Sequence, residues 1–443
     1  MRALERDATG NVAIVGGGIA GAVTAYFILR YTKFSVLLAE ADKVAHGATG
    51  HNAGQITSYF ERPLASLVEE FGLELTAKGQ AAIESGWELL EEIRRDAKLQ
   101  TPVWRFTGYA GCTNIEQVLL HLRDNAIKFS GGLLAERVYI SAEHIKGDAL
   151  PEELRHLCQF VPHEYILSLL ETKNPAYIGA LCYDKGCINS ALFTEEVVAY
   201  LTVRHPQRFS VYEMTPVRTV ELSGTNARLH TDAHLIHAKH VVLCTNGFEN
   251  ITIQNNAGEN IDTGFHHLVE GRVGYMAGFL EPMDKPPTAV SYYTEIGANP
   301  EDPYFYLTRR PYDLDGKTAQ NLLSVGGPDR PWEETVAYDR QHPYKEEELE
   351  KIETFLKDTY QYYSPLREKE LFLWHGLMGY TTSRVRLIGA EPRNPLLMYN
   401  LGCNGVGILP SLYGGKRIAD ILKGEPLGKT IFDPQGPPHA EAA

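Results

Sequence analysis

Apolar and polar positions follow different rhythms along this chain, and the changes of rhythm mark its elements. Asn11–Val15 is a short apolar run of strand type, Ala22–Tyr31 has helical composition, and Phe34–Leu38 is a second run of strand length. From Pro63 to Leu99 the positions Leu64, Leu67, Phe71 and Leu75 recur at three- and four-residue spacings, which predicts helix. Pro63 suits a first helical position, where its missing N–H costs nothing. Val103–Ala110 reads as a strand, and Asn114–Phe129 and Pro151–Leu170 as helical stretches. A helix over Ser190–Val203 precedes strands at Val211–Glu221, Ala227–Asp232 and Lys239–Cys244. Between 256 and 369 tyrosine and proline become frequent. There Val269–Leu280, Thr288–Tyr293, Phe305–Arg309 and Asn321–Val325 alternate as antiparallel strands do, before a Glu/Lys-rich helix over Lys345–Tyr363. Leu397–Leu401 is a strand, Ser411–Leu422 a last helix, and 431–443 is expected to be a flexible tail.

Composition narrows the class. At 443 residues the chain exceeds what one core organises, so two domains are expected. With 44% hydrophobic and 22% charged residues it is an ordinary globular composition. No apolar run of membrane-spanning length occurs, and the first residues lack an apolar signal core, so a cytoplasmic protein is expected. The six cysteines show neither a CxxC pair nor zinc spacing, so no metal is expected. A formal charge of −14 argues against nucleic acid as a partner and mildly favours a cationic substrate.

The first fifty-five residues carry the chemistry. Gly16-x-Gly18-x-x-Gly21 follows the first strand at once, Ile19 and Ala20 open the helix, and Glu40 ends the second strand. Gly16 permits the tight turn, Gly18 lets backbone approach a pyrophosphate, and Gly21 lets helix pack on strand. The helix N-terminus offers N–H groups to phosphates, and Glu40, with Ala41 beside it, is placed for ribose hydroxyls. A dinucleotide is expected here.

A second small-residue run, Gly47-Ala-Thr49-Gly50-His51-Asn52-Ala53-Gly54-Gln55, resembles the loop that follows the ribose acid in the D-amino-acid oxidase and glycine/sarcosine oxidase superfamily of FAD enzymes. The resemblance extends to Tyr183–Asn189, where such chains return to the FAD domain, and to the strand ending Val241–Phe248 with Asn246. It extends also to Trp374-x-Gly376 with the Ile388-Gly389 pair, and to Gly402-Cys-Asn404-Gly405-Val406-Gly407-Ile408 before the last helix. It implies FAD, a Rossmann-like α/β domain with a central parallel sheet, and a mostly antiparallel α+β substrate domain. The FAD domain would comprise 1–100, 183–255 and 370–430, and the substrate domain 101–182 and 256–369. It also implies that Val217 lies beside the adenine and that the last glycine loop wraps the flavin ring.

The activity so implied is oxidation of a C–N bond in an amine or amino acid, with hydride passing to the flavin and the imine hydrolysing. Where glycine-oxidase types carry a carboxylate-binding arginine, this chain has Met378. Arg309, on a substrate-domain strand, is the leading alternative clamp, with Arg272 and Arg310 behind it; Arg384 and Arg386 face solvent or recruit an anion. Tyr306 and Tyr380 are expected to shape the pocket. His51 stands where dimethylglycine and sarcosine dehydrogenases link a histidine to the flavin, so a covalent bond or a hydrogen bond at that position is open. Two other classes stay open: a flavin monooxygenase, and a dehydrogenase subunit passing electrons to a partner protein.

Overall fold

The structure, a computed structural model, describes residues 3–146, 149–246, 251–261, 269–294, 304–312, 319–332, 338–366 and 369–434. Val12–Val15 is buried at every position because it is an interior strand of a six-stranded sheet, flanked in parallel by His240–Leu243 and Val36–Ala39. Phe209–Tyr212 lies outside Val36–Ala39, Leu397–Leu401 outside His240–Leu243, and Leu387–Ala390 closes the far edge antiparallel. One face packs on the helices Ile19–Tyr31, Ser190–Arg204 and Ile408–Lys423. The other packs on a five-stranded sheet that includes Val217–Leu222, Ala227–Thr231 and Leu235–Ala238. Strands covered on both faces must be apolar throughout, which is the rhythm seen in the sequence. Ile19–Tyr31 is buried from Ile19 to Leu29. The last helix presses Gly415 on it, where a Cβ would come within 3.0 Å of Thr24 backbone.

A third sheet holds eleven strands among the described residues. Val269–Pro282 is its spine: Gln320–Gly326 pairs along one edge and Leu371–Thr381 along the other. Tyr304–Tyr312, Thr288–Tyr293, Val103–Cys112 and Gly179–Ile188 continue it. Its back face packs on the helix Glu346–Thr359, and its front face turns toward the glycine loops of the first sheet. No helix among the described residues is long and apolar enough to cross a membrane.

Several sequence expectations need correction. Pro63–Leu99 is three helices, Leu64–Phe71, Leu73–Glu84 and Gly86–Ala97, since Gly72 at φ +80° ends the first. Pro151–Leu170 is not one helix. A 3-10 turn over Glu152–Leu157 gives way to strand Cys158–Val161, parallel to Val138–Ser141, before helix His163–Leu169. Pro162 cannot continue a helix from the preceding residues, and the Cys-Gln-Phe-Val run satisfies its backbone in the sheet instead. Val211–Glu221 splits at Met214 and Pro216, so that its halves enter different sheets. Leu371–Thr381, grouped above with the FAD segments, pairs along the long sheet, and the chain crosses back only after Thr381. The expected tail starts too early: Ile431 and Phe432 are buried, with Phe432 against Phe60 and Tyr413. Gly247 and Phe248 of the Val241–Phe248 motif lie outside the described residues.

Candidate cofactor and substrate site

Each glycine of the first turn is sterically required. A Cβ on Gly16, at φ +105°, would stand 2.7 Å from the Cys244 carbonyl oxygen, and one on Gly21 would stand 1.9 Å from that of Gly16. Gly18 lies under Thr49, whose Oγ1 accepts the Ile19 N–H at 2.9 Å. The Glu40 carboxylate accepts from Gly17 N–H at 2.6 Å and Asp42 N–H at 2.9 Å. Burial pushes its pKa up, mainly by removing the charged oxygens from water. Ala20 is buried in the helix behind this turn.

The run from Gly47 to Gln55 is a tied loop. Asn52 bonds the Ala48 and Thr49 carbonyls through Nδ2 and accepts from Gly54 N–H through Oδ1 at 2.6 Å. Gly50 backs on the Ala45 carbonyl and Ala53 is buried. Gln55 Nε2 donates to Thr308 Oγ1 at 3.1 Å, which ties the loop to the front of the long sheet. His51 Nδ1 lies 2.9 Å from the Gly47 carbonyl, so Nδ1 carries the proton and Nε2 the lone pair. Desolvation draws the His51 pKa down, which keeps the ring neutral. Gly376 fits against His51: a Cβ there would be 3.0 Å from the histidine's own Cβ. Arg340 straps the loop from outside, pairing with Asp42 and donating to the His46 carbonyl at 3.0 Å.

The third glycine run closes the site. Gly402 and Gly405 hold φ of +83° and +78°. Asn404 Oδ1 accepts from the Thr381 N–H at 2.8 Å, and Asn246 Oδ1 from the Cys403 N–H at 3.0 Å. The last helix begins at Ile408, three residues earlier than its sequence predicts, because Pro410 falls in the first turn where it costs no hydrogen bond. Gly407 precedes it without a side-chain cap and its first turn holds no acid, so its positive end is left open; buried Val406 lies just ahead. Val217 is buried in the five-stranded sheet.

Strand alternation sorts the expected substrate residues. Tyr306, Thr308 and Arg310 share the front face, and Tyr380, Met378, Gly376 and Trp374 alternate along Leu371–Thr381 on the same side. Arg309 points the other way. It is fully buried, bonded to both Glu171 oxygens at 2.9 and 2.6 Å and to the Tyr360 hydroxyl at 2.7 Å, with Glu281 3.5 Å from Nε. Those carboxylates hold it charged and tied to the protein, so it is a structural cation and not a substrate clamp. Arg272 is likewise taken, by Asp329 at 2.8 Å. Arg386 is buried, and among the described residues it pairs with no acid. Asn400 holds it through Oδ1 and its carbonyl at 2.8 and 2.9 Å, and burial lowers its pKa to about 10. Arg384 lies over the Tyr380 ring at 5.4 Å, and the Tyr380 hydroxyl meets Gly405.

The sequence reading missed the segment after Gln55. Tyr59, Phe60 and Glu61 line two neighbouring cavities, one reaching Cys403, Asn404 and Val406, the other reaching His121, Asp124, Tyr183 and Tyr293. The second is the larger of the two. It missed Lys185 as well, although a lysine followed by the small and apolar run Gly186-Cys187-Ile188 was a signal.

These residues fit a dinucleotide with a tricyclic ring. The glycine turns are cradles that a Cβ would fill, and both helix ends facing them lack acids. Thr245 Oγ1 and Asn246 Nδ2, at the end of His240–Leu243, are buried polar atoms with no hydrogen-bond partner among the described residues. Comparison with known proteins agrees. The chain matches the family described as FAD dependent oxidoreductase over residues 11–421. It is 31% identical over 94 residues to γ-glutamylputrescine oxidoreductase of Escherichia coli, which is 21% of this chain and 22% of that one. It is 28% identical over 171 residues to a Bacillus subtilis protein named as the Rieske 2Fe-2S iron-sulfur protein YhfW, 38% of this chain and 33% of that one. The matched segments thus span a third or less of those relatives' own length. The L-proline dehydrogenase of P. horikoshii has the same fold, with a TM-score of 0.68 at 15% identity over 97% of this chain and 96% of that one.

Proposed function

Because this chain belongs to the FAD dependent oxidoreductase family, we propose that it oxidises a C–N bond of an amine or amino acid, giving an imine that hydrolyses in water. FAD, when bound, supplies the two-electron acceptor for the hydrogen on the carbon beside nitrogen. The turn at Gly16–Gly21, Glu40 and Ala41, and the runs 49–55 and 402–408 would hold it, with Val217 toward the adenine and Asn246 and Gly376 toward the ring. The segments 1–100 and 189–255, with the chain from Leu387, would form the FAD-binding unit, and the long sheet, which keeps Gly179–Ile188, the substrate unit. Relatives named for γ-glutamylputrescine and L-proline support a nitrogen compound as substrate.

One observation carries the substrate type: Met378 stands at the clamp position while Arg309 and Arg272 are already paired with acids. Secondary amines and longer primary amines are therefore the substrates, and glycine a poor one. Tyr306 and Tyr380 shape the front of the pocket. Six unpaired cysteines support a cytoplasmic setting. The test is anaerobic bleaching of the purified flavoprotein with sarcosine, putrescine, N-methylbutylamine, glycine and D-alanine. Bleaching by the first three and not by glycine is expected; a flavin reduced by none of them overturns the reading. Peroxide yield against dye reduction then distinguishes oxidase from a dehydrogenase feeding a partner protein.

His51 is the proposed attachment point. Its neutral ring, with Nδ1 turned to Gly47, leaves Nε2 as the nucleophile. Acid-precipitated protein should stay yellow and carry one FAD in mass, and His51→Ala should release the flavin on precipitation while binding it in the fold. Colourless precipitate from the wild type leaves His51 a hydrogen-bonding residue only.

A further inference from the structure

Lys185 is fully buried in strand Gly179–Ile188, and among the described residues it makes no ion pair. Burying an ammonium without an acid costs several kcal/mol, roughly, so a fold that keeps one there is built around it. Its stem lies across Gly108 of the neighbouring strand, where a Cβ would come within 2.6 Å of Lys185 Cδ. The tip reaches one strand further: Nζ donates to the Tyr109 carbonyl at 3.3 Å and to Ser291 Oγ at 3.1 Å. The rings of Tyr59 and Tyr183 stand 5.7 Å from Nζ, and both line the larger cavity. Ser291 is directly opposite Tyr306 in the sheet, so the two side chains share the front face that the glycine loops oppose. A row therefore runs from Lys185 through Ser291 to Tyr306.

We propose that Lys185 accepts, through Ser291 Oγ, the proton that a substrate ammonium sheds on entering the site beside Tyr306. This rests on the amine-oxidising reading above. An N–H bond of the ammonium breaks as Ser291 Oγ gains that proton, and the serine proton passes to the neutral Nζ. The amine keeps the lone pair it needs before its C–H bond can give up hydride, and no redox partner is involved. The charged and titratable groups around Nζ are Glu61, Tyr59 and Tyr183, with Tyr293 two residues from Ser291 on the same face. Desolvation outweighs the Glu61 charge and brings the lysine from 10.5 to about 7, so a neutral acceptor is at hand near neutral pH.

The test has two arms, both on holoenzyme. In the first, lysine labelled with 13C at Cε is titrated by NMR, and the Lys185 signal is the one missing in Lys185→Met. It should titrate near neutrality; a signal that stays charged above pH 10 overturns the proposal whichever substrate is found. In the second, the pH dependence of anaerobic flavin reduction by putrescine, sarcosine and N-methylbutylamine is measured for wild type, Lys185→Met and Ser291→Ala. The wild-type rate should rise through neutral pH. In both variants the rise should move to the alkylammonium's own pKa near 10, a loss of about 100-fold at pH 8 that closes as pH climbs. Unchanged FAD content and melting temperature show that the variants fold. A variant whose rate drops equally at every pH marks Lys185 as a packing residue and overturns the role. If no amine reduces the wild-type flavin, the amine-oxidising reading fails and this inference with it, whereas a reduced flavin with an unmoved profile sinks only the inference.

Discussion

Arg309 and Arg310 are adjacent in sequence and face opposite sides of their strand. The alternation of Phe305–Arg309 was legible, but which face meets the site was not, because a strand's pattern carries no label for inside or outside when both faces are covered. Glu171 and Glu281, the partners that settle it, lie on other elements far along the chain. Arg309→Leu would strand two carboxylates and the Tyr360 hydroxyl in the interior. It should cost roughly 3–5 kcal/mol in urea unfolding and leave the substrate KM of the remaining folded enzyme unchanged. A raised KM with intact stability would restore the clamp. His121 and Asp124, one turn apart on helix Ile115–Ser130, set a second test. Burial lowers His121 to about 4 and raises Asp124 to about 7. A depressed histidine keeps its contribution above the unfolded value of about 6.5 and loses it as pH falls toward its folded value. A raised aspartate does the reverse, gaining stability as pH falls from its folded value toward about 3.9. The two slopes, each about 1.4 kcal/mol per pH unit, oppose one another. Asp124→Asn removes one, so its stability should drop by about 2 kcal/mol more than wild type between pH 6.5 and 5. Equal drops in the two proteins would mean that Asp124 is not held protonated in the fold.

At the scale of elements, the legible parts were those whose chemistry is local. The strand, glycine turn and helix from Val12 to Tyr31 are written in consecutive residues, as is the loop at 402–408. Elements set by distant neighbours were misread. Cys158–Val161 is a strand because Val138–Ser141 offers it an edge, and no local periodicity announces that. The end of the chain is the same case: Thr-Ile-Phe-Asp before a proline-rich stretch resembles a tail, yet Ile431 packs into the notch left by Gly79 and Phe432 into the helical layer. Phe432→Ala should therefore cost roughly 3–5 kcal/mol, the usual loss for a buried aromatic, read as a shift of the urea midpoint. A midpoint within experimental error of wild type would return these residues to the tail.

At the scale of the whole molecule, specific ties join the long sheet and the chain beside it to the glycine loops: Gln55 to Thr308, Gly379 packed on the Asn246 carbonyl, and Arg340 to Asp42 and His46. The strap at Arg340 is about one-third exposed, so its ion pair is worth at most about 1 kcal/mol. Arg340→Met should weaken FAD retention by less than tenfold, measured on protein with His51→Ala so that no covalent bond masks release. A hundredfold loss would show that the strap organises the whole loop.

The cradle at Gly16 and the closing loop at Gly405 stand at opposite ends of the polypeptide, and the strand between the two halves of that sheet, His240–Leu243, comes from its middle. During synthesis at roughly 5–20 residues per second, the first turn emerges tens of seconds before its counterpart. Until His240–Leu243 follows, Val12–Val15 has an open hydrogen-bonding edge. The order of synthesis therefore puts the first half of the cradle in place long before the loop that faces it.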